Sequence, residues 1–96
     1  MICITVLLTV RNESDVPAVK ELLSKHGELS RAEPGCLRFE LYHSEADRKV
    51  FILNERWESP ELLDQHRLAE GYTTIYVPKV LPLVDRTPHR CELVSG

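Results

Sequence analysis

Residues 2–10 read Ile-Cys-Ile-Thr-Val-Leu-Leu-Thr-Val. A run of β-branched and aliphatic residues like this is strand material. Alternation puts Ile2, Ile4, Val6 and Leu8 on one face, and Cys3 and Leu7 on the other. A strand apolar on both sides belongs to a sheet covered on both sides. The chain has 96 residues, so a single domain spanning 1–96 must supply that cover or recruit it. A core of this size is marginal alone, and a second copy would strengthen it.

The rest of the chain supplies three more strands and the helices between them. Arg11-Asn-Glu-Ser reads as a loop in which Ser14 or Asp15 caps a helix. Val16, Val19, Leu22, Leu23, His26 and Leu29 then recur at helical spacing, with Pro17 tolerated in the first turn. Glu33-Pro34-Gly35 is a turn signal that stops the helix near Ala32. Cys36–His43 alternates as a second strand, with Leu37, Phe39 and Leu41 opposite Arg38, Glu40 and Tyr42. A polar hairpin loop from Ser44 leads to a third strand, Val50–Trp57. Ser59 caps a second helix with Pro60 at its first position. Leu62, Leu63, His66 and Ala69 form its inward stripe. Across 73–84, Tyr76, Val80 and Leu83 keep helical spacing, but Pro78 and Pro82 interrupt it and predict a short or kinked helix. Arg86-Thr87-Pro88 reads as a break, and 89–94 as the last strand.

The order β-α-β-β-α-β predicts an α+β, ferredoxin-like fold with an antiparallel sheet. Two helices cover one sheet face, and the other is expected to be bare and apolar. A homodimer packed sheet against sheet would cover it.

Composition excludes several function classes. The net charge is −3 and the basic residues form no stripe, so no nucleic acid or anionic membrane is an expected partner. No apolar stretch nears the roughly 20 residues of a membrane span. The start carries no basic segment before its apolar run and reads as a strand, not a signal peptide. Cys3, Cys36 and Cys91 are odd in number and read as reduced, small core hydrophobes, which predicts a cytoplasmic protein. The four histidines and three cysteines form no CxxC, HxxxH or HxH pattern, so no metal is expected. No Gly-rich loop joins a strand to a helix, so no nucleotide or flavin cofactor is expected either. No Ser-centred or Cys-centred nucleophile motif is present.

The chemistry-bearing residues cluster between Phe51 and Tyr76. Glu55 and Trp57 share a strand face with Phe51 and Leu53. Among such neighbours Glu55 is either a shifted acid or base, or a strand-end carboxylate paired with Arg56 or Arg67. His66 stands where the helix pattern asks for an apolar residue. It is either a core histidine with its hydrogen bonds satisfied, or a neutral base able to take a proton from an acidic hydroxyl. Tyr72 and Tyr76 either line a pocket beside it or pack in the core or an interface. The catalytic candidates are therefore His66 and Glu55, and the substrate-binding candidates Trp57, Tyr72, Tyr76 and Asn54.

Three segments carry a family resemblance: Glu33-Pro-Gly-Cys-Leu-Arg-Phe-Glu-Leu, then Glu55-Arg-Trp-Glu-Ser, then Asp64-Gln-His-Arg. With them the chain resembles an antibiotic biosynthesis monooxygenase domain over nearly its whole length. The resemblance implies a dimeric α+β barrel with a pocket between sheet and helices in each subunit. It also implies oxidation of phenols or quinols by O₂ without metal, flavin or haem. One position departs from the pattern: many relatives carry His-Phe where this chain has Gly71-Tyr72. A haem-degrading branch of the same fold has a Trp near the position of His66 and an Asn on the first strand; neither is here, which disfavours that activity. Two expectations follow. One is a cofactor-independent monooxygenase acting on a small phenolic or quinol-like aromatic compound. The other is a non-catalytic module, for stress response or ligand binding, that holds a small aromatic molecule.

Overall fold

The computed structural model describes residues 1–96. Its elements are β1 (Ile2–Val10), α1 (Val16–Arg31), β2 (Cys36–His43), β3 (Val50–Trp57), α2 (Pro60–His66), a π-helical segment (Gly71–Val80), a 3₁₀ turn (Leu81–Leu83) and β4 (Val84–Cys91). The strands form one antiparallel sheet in the order β2-β3-β1-β4, the α+β ferredoxin-like arrangement. The helices lie on one face. The core fills the space between, with Val6, Leu8, Val19, Leu23, Phe51 and Leu53 fully buried. No helix is long and apolar enough to cross a membrane.

Local chemistry sets the corners. Before α1, Asn12 caps a 3₁₀ turn, Glu13–Asp15, its Oδ1 accepting the Ser14 N–H at 3.1 Å; Asp15 stands at the N-cap of α1 itself but makes no side-chain cap bond. Gly35 turns the chain into β2 at φ +79°, where a Cβ would collide with Leu62. At the start of β2, Cys36 faces Trp57 while Arg38 faces Arg56. Leu37 is thus the extra residue of a bulge, and it points outward, 57% exposed, instead of sharing the face of Phe39 and Leu41.

The C-terminal third departs most from the sequence expectation. The helical segment begins at Gly71 and is wide, with the Leu81 N–H donating to the Tyr76 carbonyl five residues back. β4 begins at Val84, and Arg86-Thr87-Pro88 continues it rather than breaking it. Residues 92–94, expected in the strand, lie beyond it. The backbone explains why Pro88 is accepted. Arg11 N–H donates to the Leu83 carbonyl, so odd positions of β1 form the hydrogen-bonded pairs with β4. Pro88 faces Val6, an even position, and its nitrogen points to the free edge. There it removes a donor that no ladder needs and blunts the edge.

The register also defines the uncovered face as rows across β2, β3, β1 and β4. One row is Tyr42–Ile52–Leu7–Thr87, flanked by Val50–Thr9–Asp85 and by Glu40–Asn54–Thr5–His89, with Arg38–Arg56–Cys3–Cys91 beyond the latter. The face is therefore apolar in one row only, less so than β1 by itself predicts. Thr5 and Asn54 satisfy each other there, Oγ1–H donating to Oδ1 at 3.0 Å.

Candidate active site

β3 presents Glu55 and Trp57 to the helices. Glu55 sits in the row Phe39–Glu55–Ile4, walled by apolar side chains. The Trp57 indole N–H donates to Glu55 Oε1 at 3.1 Å. The chain then turns into α2, where Ser59 Oγ accepts the Leu62 N–H at 3.3 Å. The helix is two turns long, so its last residue, His66, comes back over β3. The imidazole is 3% exposed, with its centroid 4.4 Å from the Trp57 ring. Its Nδ1 lies 2.7 Å from Glu33 Oε1, and its Nε2 lies 3.9 Å from Glu55 Oε1. Two carboxylates flank one imidazole. Glu55 is not the strand-end carboxylate of an Arg56 pair, since Arg56 lies on the opposite sheet face.

Burial controls the protonation of this group. Removal from water pushes the Glu33 carboxyl up to about 7, and its Oε2 is buried without a partner. Burial also raises Glu55, opposed by the Trp57 N–H and by the Arg86 and Arg67 charges. His66 is lowered to about 4, first by burial and then by Arg67. The imidazole is thus neutral near pH 7, and Glu33 decides which nitrogen holds its proton. An ionised Glu33 accepts from Nδ1–H and leaves the Nε2 lone pair free. A protonated Glu33 puts the proton between itself and Nδ1, and Nε2 then carries N–H and cannot act as a base.

Aromatic rings enclose the group. Tyr72 meets His66 edge-on at 5.5 Å. His26 of α1 stacks on Tyr76 at 4.8 Å and lies 5.6 Å from His66. Burial and the neighbouring His66 lower His26 to about 4. The Gly71 backbone is close enough to its Nδ1 to favour the proton slightly, but not in hydrogen-bonding geometry. A Cβ at position 71 would sit 3.0 Å from His26 Nδ1 and 3.3 Å from Leu29 Cβ. The space that a side chain at 71 needs is therefore already filled by an imidazole from α1.

A cavity of about 300 Å³ opens beside these residues, walled by Ile4, Glu55, Leu63, His66, Tyr72 and Tyr76. Of the sequence candidates it gathers His66, Glu55, Tyr72 and Tyr76. Trp57 stands behind the wall, fully buried and holding Glu55, and not on the cavity surface. Asn54 is not brought here at all. Strand alternation puts it on the uncovered face, where it borders a larger hollow of about 460 Å³ next to Arg56 and residues 92–95. No histidine lines that hollow, which shares Ile4 and Glu55 with the cavity. No group of three His, Cys, Asp or Glu side chains is arranged to hold a metal ion.

Three members of the group went unassigned in the sequence. Glu33 heads a family segment and a turn but has no role from the sequence, although a carboxylate just past a helix C-terminus opposes the helix dipole. That mismatch is a signal that another force holds it there. His26 passed as one more position of an apolar stripe. Arg86, whose Nε–H donates to the Tyr76 hydroxyl at 2.9 Å, lay in a segment read as a break.

Sheet, helices and cavity define a ferredoxin-like α+β protein with a buried, neutral histidine between two carboxylates. Residues 1–76 match the profile of the antibiotic biosynthesis monooxygenase family, and the chain belongs to that family. A crystal structure of an antibiotic biosynthesis monooxygenase is 25% identical, with a TM-score of 0.89 over 99% of this chain and 100% of that one. A conserved Bacteroides thetaiotaomicron protein, described as a possible oxidoreductase, is 25% identical with a TM-score of 0.88 over 96% of each chain. SnoaB of Streptomyces nogalater, a cofactor-independent oxygenase, shares the fold at 9% identity, with a TM-score of 0.85 over 99% of this chain and 94% of that one. No curated protein matches the chain in sequence.

Proposed function

We propose that the protein is a cofactor-independent monooxygenase that oxidises a small phenolic or quinol-like aromatic compound with O₂. The observation that carries this reading is the His66 imidazole, anchored through Nδ1 to Glu33 at 2.7 Å with its Nε2 turned to the cavity beside Glu55. His66 Nε2 takes the hydroxyl proton and leaves an electron-rich phenolate. The phenolate reduces O₂ and forms a C–O bond at a ring carbon, giving a hydroperoxide on the substrate. Cleavage of the O–O bond leaves a carbonyl on the ring. The second oxygen departs as water with the hydroxyl proton and the ring proton. Glu55, whose charged form burial disfavours, hydrogen-bonds a substrate oxygen, and Trp57 holds Glu55 in place. Tyr72 and Tyr76 flank the ring. Asn54 has no part in the reaction.

O₂ uptake with a panel of hydroquinones tests the reading. His66→Ala should fold and still bind, but turn over about 10²–10⁴ more slowly, the usual cost of a lost base. A wild-type protein that binds the panel without consuming O₂ is instead the ligand-holding module. A variant of lower stability with full turnover per folded molecule makes His66 a core residue only.

A further inference from the structure

The cavity is cationic as well as aromatic. Besides its apolar wall it is lined by Arg67, Arg86 and Arg90, from the end of α2 and from β4. On β4 the alternation that faces Pro88 to Val6 also faces Arg86 to Leu8 and Arg90 to Ile4, so both arginines lie on the helix side of the sheet. None of the three is within ion-pair distance of a carboxylate. The chain's ion pairs use Arg11, Lys25, Arg38 and His66 instead. Arg86 is spent partly on the Tyr76 hydroxyl, a neutral acceptor. Arg67 and Arg90 have no such bond. The only carboxylate in the wall is Glu55, which the apolar surroundings hold towards its neutral form. His66 is neutral too. A neutral quinol would leave this excess positive charge uncompensated.

We infer that the substrate is anionic, an aromatic hydroxy compound bearing a carboxylate or a comparably compact negative group, and that Arg67, Arg86 and Arg90 bind that group. This rests on the proposed monooxygenase reading and names its substrate class. The guanidinium forks suit a planar oxyanion in a way that a lysine ammonium does not. They line the cavity from β4 and from the end of α2, so a carboxylate held by them leaves the aromatic ring to the remaining wall of Leu63, Tyr72 and Tyr76. The same positive field stabilises the phenolate that His66 generates. The arginines are solvent-accessible, so their attraction is screened and the selectivity falls with salt.

Calorimetric titration with 1-hydroxy-2-naphthoate and 1-naphthol tests this directly, because neither probe needs turnover to be read. The carboxylate should bind at least about tenfold more tightly at low salt. The preference should shrink below about threefold in 0.5 M NaCl and in the Arg67→Gln/Arg90→Gln variant, which removes no hydrogen bond from the fold. Equal affinity for the two probes overturns the inference and leaves the aromatic site intact. A carboxylate preference that neither salt nor the variant reduces also overturns it. Binding of neither probe by folded protein overturns both this inference and the functional reading it rests on.

Discussion

At the scale of single residues, the candidate site gathers four ionisable groups whose charged forms burial disfavours. His66 and His26 are pulled down to about 4, while Glu33 is pushed up to about 7 and Glu55 is pushed in the same direction. Glu33 is the group closest to a working pH, and its proton selects the tautomer of His66. Activity should therefore rise as pH passes about 7, when Glu33 ionises and Nε2 becomes basic. Glu33→Gln keeps a hydrogen-bonding oxygen but removes the titration, so the rate should fall and its dependence on pH near 7 should flatten. A pH profile with an undiminished rise in the variant would show that Glu33 does not govern His66. Stability carries a matching sign. The folded carboxyl has a higher pKa than the unfolded one, so Glu33 costs nothing in acid and its cost grows as pH climbs from about 4.5 to about 7. The Gln variant should lose that slope. Most of this was illegible in the sequence, because Glu33 and His66 are 33 residues apart and only the return of α2 over β3 joins them. Glu55 and Trp57 were legible, since alternation along one strand is enough to place both.

At the scale of elements, amphipathic periodicity was readable wherever one face met the core, and unreadable where edge geometry decided. β1, α1, β3 and the start of α2 follow their patterns. β4 does not, because its residues after Val84 are exposed and a strand at an edge needs no apolar alternation. Pro88 looked like a stop because its role depends on which side of the pair its nitrogen faces. The π-helical segment obeys a period that helical spacing does not test, and it carries the one departure from the family pattern. Gly71 lies at its start, against His26. His26 is 1% exposed and hemmed in by the rings of Phe39, His66 and Tyr76, which leaves it little room to give. Gly71→His should thus fail to restore a relative-like site. It should overpack the α1 contact, costing about 2 kcal/mol, or roughly 10 °C in Tm. Adding His26→Ala should vacate the space and recover at least half of that loss. Thermal melts of the single and double variants check it, and a single variant as stable as wild type would mean that α1 does not occupy the position.

At the scale of the whole molecule, the uncovered sheet face is what remains unexplained by one chain. We propose that a second copy covers it, with the sheets packed face to face as the family resemblance implies. The row Tyr42–Ile52–Leu7 is the one continuous apolar strip on that face, with Leu7 37% and Tyr42 48% exposed. The polar rows beside it contain Arg38 and Arg56 on one strand pair and Glu40 nearby, so a symmetric partner turned about a two-fold axis can set unlike charges against each other. Burying the strip would add apolar area to a core that is small for its surface. Light scattering should then report twice the 11.0 kDa chain mass at micromolar concentration. Ile52→Asp places a charge at the centre of the strip without touching the helix-side core, because Ile52 alternates with the buried Phe51 and Leu53. It should dissociate the dimer and lower Tm, since each chain then loses the added burial. The cavity lies on the other side of the sheet, so a folded monomeric variant should keep its ligand affinity within a few-fold. A wild-type mass of one chain would leave the strip bare and the dimer reading wrong. A variant that dissociates and also loses the ligand would mean that the cavity is completed across the subunits.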